Sequence, residues 1–113
     1  VPTQGDQMEN DYLPGIYRQF QERFPDVAEA QGALARTIRD RNPFDEKTDR
    51  LIKLAMAIGA EAQGAVRSNV RKALQHGATP DEIHAVALAA ITTCGFPTAI
   101  AALGWIEEVT EAV

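Results

Sequence analysis

Thr79-Pro80-Asp81-Glu82 constrains this chain more than any other four residues. Threonine can accept from the third N–H of a new helix, proline fits its first position, and the glutamate can reach back to the threonine N–H. The motif therefore reads as a capping box that starts a helix. That helix runs to about Cys94 and is apolar on nearly every side, through Ile83, Ala85, Val86, Ala87, Leu88, Ala89, Ala90 and Ile91. A helix without a polar face needs neighbours all round, so it is expected to be central and buried in an all-α bundle. Nineteen alanines against seven aromatic residues agree, because alanine favours helices and strands favour aromatic and β-branched side chains. With 113 residues there is one domain, drawn over 11–113, behind a flexible segment at 1–10.

Five further helices can be read. Leu13, Ile16, Tyr17, Phe20 and Phe24 share a face and end at Pro25; Val27, Ala30, Leu34 and Ile38 mark a second helix from about Asp26 to Asp40. Asp45 can cap a third, with Leu51, Leu54, Ala55 and Ile58 as its stripe and Glu46–Arg50 and Asp49–Lys53 as acid-before-base pairs. Gly59 breaks it. A fourth runs from about Glu61 to Gln75, closed by Gly77. After the capped fifth helix and the Gly95-Phe96-Pro97 break, the last extends towards Ala112. Ala99, Leu103, Ile106 and Val113 form one apolar face there, and Ala102, Trp105 and Val109 widen it. The excess points to self-association, unless the amino-terminal helices cover it.

The net charge is −5 with both signs dispersed, which argues against nucleic acid and anionic membranes, since phosphate binding needs clustered Lys and Arg. A helix–turn–helix reading of residues 61–94 fails for the same reason: its second helix opens with Asp81 and Glu82 and carries no Lys or Arg. The longest apolar run is seven residues, far below a membrane span. Val1 to Asn10 lacks signal-peptide character, and the start at valine suggests trimming or added residues ahead of Met8. The cytoplasm is the expected compartment.

Few residues offer chemistry. Asn69 falls within the inward stripe of Ala62, Ala65, Val66, Val70, Ala73 and Leu74, so its amide either ties helices together or lines a pocket. Arg67 and Arg71 stand four apart and present either an anion contact or a solvated face. Glu61 lies nearby as an acid–base candidate or a helix-start carboxylate. Cys94 continues the stripe of Ile83, Val86, Ala87, Ala90 and Ile91, and is expected to be a buried, unreactive thiol near a helix carboxyl end. With one cysteine there is no intrachain disulfide, and His76 and His84 match no recurrent ligand spacing; no metal and no cofactor are expected.

Leu51-Ile52-Lys53-Leu54-Ala55, Val66 through Leu74, Gly77-Ala78-Thr79-Pro80-Asp81-Glu82-Ile83 and the Gly95-Phe96-Pro97 break together resemble the carboxymuconolactone decarboxylase and alkylhydroperoxidase D-like group. The resemblance implies a family core over 46–113 and a homo-oligomer, trimeric or hexameric. It also implies where redox members keep their relay: two cysteines at Ala62 and Ala65, a histidine at Asn69 and a glutamate at Arg50. Thiol reduction of peroxide needs thiolate attack and disulfide closure, and alanine does neither. Decarboxylase-type members lack the cysteines but keep the histidine, and asparagine cannot shuttle a proton near neutrality. The expectation is a family protein acting on a small organic acid or lactone, with Asn69 and Glu61 as catalytic candidates and Arg67, Phe96 and Trp105 lining the pocket. The alternatives are a non-catalytic oligomeric ligand binder and, behind it, a peroxidase.

Overall fold

A computed structural model describes residues 15–111. Among these, 84% are helical and none lies in a strand, so the all-α class holds. Leu13, Val113 and the 1–10 segment lie outside the described residues. The sequence reading drew one domain over 11–113; the chain divides after Pro43 into two compact units. The first holds α1 (Gly15–Arg23) and α2 (Pro25–Asp40). Tyr17, Phe20 and Phe24 stack along α1, with ring centroids 6.2 and 6.0 Å apart, and Pro25 opens α2. Neither helix buries a residue.

The second unit holds α3 (Glu46–Gly59), α4 (Gln63–Gln75), α5 (Pro80–Thr93) and α6 (Phe96–Thr110). Asp45 caps α3 by accepting from the Thr48 N–H at 2.7 Å. Gly77 ends α4 in a left-handed conformation at φ +91°. Its N–H donates to the Leu74 carbonyl and that of Ala78 to the Ala73 carbonyl, the paired bonds of a Schellman turn. At Thr79 the capping box forms as read: Thr79 Oγ1 accepts from the Glu82 N–H at 3.1 Å and Glu82 Oε1 from the Thr79 N–H at 2.9 Å.

Short turns make α3–α4 and α5–α6 hairpins, which pack through α4 against α6 and α3 against α5. The core is small-grained: Leu54, Ile58, Val66, Val70, Ile83 and Ile106 are fully buried, interleaved with Ala57, Ala73, Ala87, Ala90, Ala99 and Ala102. Alanines at these positions let helix axes approach closely. The α3–α5 pair runs in parallel. Glu82 Oε2 accepts from Lys47 Nζ at 3.0 Å at one end, and a Cβ on Gly59 would stand 3.6 Å from Cys94 Sγ at the other.

One expectation fails in part. Helix α5 is not buried all round: only Ile83, Ala87 and Ala90 are, while Leu88 is 56% exposed. With so many alanines, its neighbours α3, α4 and α6 occupy one side and the rest of its surface stays open. No helix among the described residues is long and apolar enough to cross a membrane.

The Thr79 N–H, and then Lys47, hold the Glu82 carboxyl below the ordinary glutamate value; the Thr48 backbone and hydroxyl do the same for Asp45. A depressed carboxyl contributes stability above its unfolded pKa that is lost as pH falls through the folded value. Acid titration of the melting temperature should therefore show a drop below the usual carboxylate range, shallower in Glu82→Gln. At neutral pH, Thr79→Ala is expected to cost about 1 kcal/mol by urea denaturation.

Candidate functional site

The turn between α3 and α4 holds Glu61 at φ +54°, a left-handed conformation that glycine adopts more easily. Its carboxylate accepts from the Thr98 hydroxyl at 2.8 Å, linking this turn to the first turn of α6. Glu61 thus lies just ahead of the N-cap of α4, with its carboxylate engaged at the start of α6. Ala62 is the N-cap of α4 and provides no side-chain cap.

Asn69 does not face into the core. It is half-buried, and its Nδ2 donates to the Ala65 carbonyl one turn back at 2.9 Å. Spacing put it in the inward stripe, but Val66, Val70 and Ala73 carry the buried line and Asn69 sits at its edge. The bond its Nδ2 makes stays within its own helix instead of tying two helices together.

Arg67 already holds an anion. Glu108 Oε2 accepts from Arg67 Nε at 2.8 Å and lies 2.6 Å from Nη2, tying α4 to α6. Phe96, at the first position of α6, is 60% exposed; Trp105 is half-buried against the core. The five candidates are therefore spread over the turn before α4, α4 itself and the start and middle of α6, with Glu61, Asn69 and Arg67 each in a separate local pairing.

Cys94 corrects another expectation: the thiol is exposed. It follows the last turn of α5 as C-cap, just ahead of Gly95 at φ +106°, so the inward stripe has ended before it. Its sulfur lines a groove of about 370 Å³ between α3 and α5, with Thr48, Leu51, Ile52, Ala55, Val86, Ala89, Ala90 and Thr93. Leu51, Ile52 and Val86 share the lining with the small Ala55, Ala89 and Ala90, and Lys47–Glu82 joins the two helices at one end. None of the sequence candidates lines it, and no charged side chain does.

Two histidines gain partners that spacing could not reveal. His76 Nε2 lies 2.8 Å from Glu46 of α3, and His84 Nε2 lies 2.6 Å from Glu107 of α6. Glu46 thus meets a histidine at the end of another helix, and the predicted Asp49–Lys53 pair forms at 2.9 Å. Among the described residues no group of three His, Cys, Asp or Glu is arranged to hold a metal ion.

The sequence profile of the carboxymuconolactone decarboxylase family matches residues 25–108, from the start of α2 to the Arg67–Glu108 pair on α6. The chain belongs to the carboxymuconolactone decarboxylase family. No curated protein matches it. In this family member the positions to which the resemblance assigns redox cysteines carry only methyl groups: Ala62 half-buried at the N-cap and Ala65 exposed one turn into α4.

Asn69→Ala separates the observed amide from a buried one. Losing a bond internal to the helix and gaining a better helix former should leave stability within about 0.5 kcal/mol by denaturant titration. A loss of about 1–3 kcal/mol would instead mark an amide tied into the core.

Proposed function

We propose that this family member binds a small, uncharged organic molecule, of lactone or alcohol type, in the α3–α5 groove, without running a thiol relay. The observation that carries the reading is the groove's uncharged lining. A carboxylate in such a place would lose its hydration with no cation in return. The nearest sequence candidate for an anion contact, Arg67, is already neutralised by Glu108. The volume suits a compact molecule, at more than twice the roughly 150 Å³ of a cavity that holds benzene.

The polar groups set what the ligand must offer. Thr93 Oγ1 donates to the Ala89 carbonyl at 2.9 Å, and the Thr48 hydroxyl bonds Asp45. Both oxygens keep lone pairs for the groove, so a ligand hydroxyl would find acceptors there. The lining holds no His, Asp, Glu, Lys or Arg, which favours binding over acid–base turnover. A reducing compartment such as the cytoplasm belongs to the same reading, because the single exposed thiol has no partner within the chain.

The test is a thermal-shift panel of neutral lactones and alcohols against carboxylates on the same carbon frames. Neutral compounds should raise the melting temperature, by an amount equivalent to about 2.7 kcal/mol at a hundredfold excess over Kd. They should also slow native-state labelling of Cys94 by a soluble disulfide reagent. Ala55→Trp, at an exposed site in the lining, should abolish both effects with the helical signal intact. Preferential stabilisation by carboxylates, or labelling unaffected by a stabilising ligand, would overturn the groove as the site. Reductant-dependent hydroperoxide consumption would overturn the non-relay reading.

A further inference from the structure

The groove between α3 and α5 changes character along its length. Lys47 meets Glu82 and Gly59 approaches Cys94, so residues 35 apart in the chain stand level along this parallel pair. Thr93 is therefore level with Ile58 of α3, ten residues beyond Thr48. At about 1.5 Å per residue, the two threonines are separated by about 15 Å along the helix axes. Between them the lining is hydrocarbon: Leu51, Ile52, Ala55, Val86, Ala89 and Ala90.

Both polar ends offer the same half of a hydrogen bond. Thr93 donates its hydroxyl proton to the Ala89 carbonyl at 2.9 Å, and Thr48 donates its own to the Asp45 carboxylate. Each oxygen then meets a ligand only as an acceptor. The backbone adds no donor. The Thr48 N–H is held by Asp45 and that of Cys94 by the Ala90 carbonyl, and the other lining residues lie within helices. The Cys94 thiol is a weak donor. A group that can only accept, such as a lactone carbonyl, would give up water here for little in return. A ligand hydroxyl brings the proton that each threonine has already spent.

We infer that the ligand is an aliphatic alcohol with a hydroxyl at each end of its chain, each donating to one threonine oxygen. The inference rests on the groove being a ligand site and adds the ligand's donors and its length. Hydrogen bonds reach about 2.8 Å at each end, and a carbon zigzag advances about 1.3 Å per bond. A chain of about six to ten carbons therefore spans the two threonines. An ammonium group could donate as well, but no carboxylate in the lining answers its charge.

Calorimetric titration of the full chain with terminal diols of increasing length, 1-octanol and an eight-carbon lactone tests the inference. Octane-1,8-diol should bind about three- to tenfold tighter than either eight-carbon comparator. Butane-1,4-diol, too short to reach both oxygens, should lose that advantage. Thr48→Val and Thr93→Val keep the side-chain shape and should each erase the diol's advantage over 1-octanol, with helical content by circular dichroism retained. Thr92→Val, at an exposed position outside the lining, should preserve it. Equal binding of diol, 1-octanol and lactone, all abolished by Ala55→Trp, would overturn this inference and leave the groove reading standing. Diol binding that survives Ala55→Trp would overturn both. A diol advantage indifferent to both threonine variants, or the absence of binding by any diol, would overturn the inference.

Discussion

Glu82 is the side chain on which the second unit's arrangement turns. One oxygen accepts from the Thr79 N–H and completes the start of α5; the other holds Lys47 in the first turn of α3. The same carboxylate therefore decides where α5 begins and how α3 is registered beside it. The spacing is repeated at the far end, where Gly59 approaches Cys94: both contacts join residues 35 apart. Between these two points, Ala55, Ala89 and Ala90 leave an open groove beside Leu51, Ile52 and Val86, where larger side chains at the alanine positions would fill space.

The other pairing, α4 with α6, is held differently. Arg67–Glu108 fastens the two helices, and Glu61–Thr98 joins the turn before α4 to the start of α6. These links use side chains that sequence reasoning reserved for the site, Glu61 for acid–base work and Arg67 for contact with an anion. A guanidinium with its own carboxylate has most of its charge answered, and a carboxylate accepting from a hydroxyl at a strained turn serves the turn. The groove itself was not read as a site, because threonine, alanine and leucine at helical spacing look like ordinary core.

Local signals were legible and long-range ones were not. The Thr79 box, the Asp45 cap and the Gly77 terminus are written within a few residues, and each helix of the second unit ends close to where those residues put it. The faces were harder. On α5 the stripe of Ile83, Val86, Ala87, Ala90 and Ile91 contains the three residues that are buried, but with nearly every other position apolar as well, the sequence did not say that Leu88 would remain open. Asn69 shows the limit of the same method, since a residue at the edge of a stripe fits the spacing whether it points inward or folds back on its own helix. Partners such as His84–Glu107 and Arg67–Glu108, 23 and 41 residues apart, leave no trace in local sequence.

The distribution of alanine explains how a family fold persists here without the relay that the resemblance assigns to redox members. Position 62 is the N-cap of α4, where a helix dipole would stabilise a thiolate and lower its pKa. The chain has alanine there, a poor N-cap, and loses the site's electrostatic use without replacing it by a structural one. Nothing in the core depends on that position: Val66, Val70 and Ala73 bury the helix regardless. Core and chemistry are therefore separable in this scaffold, because the stabilising face of α4 and its reactive end are formed by different residues. Family membership then fixes the bundle, while what the protein binds is decided by the residues that line its open surfaces.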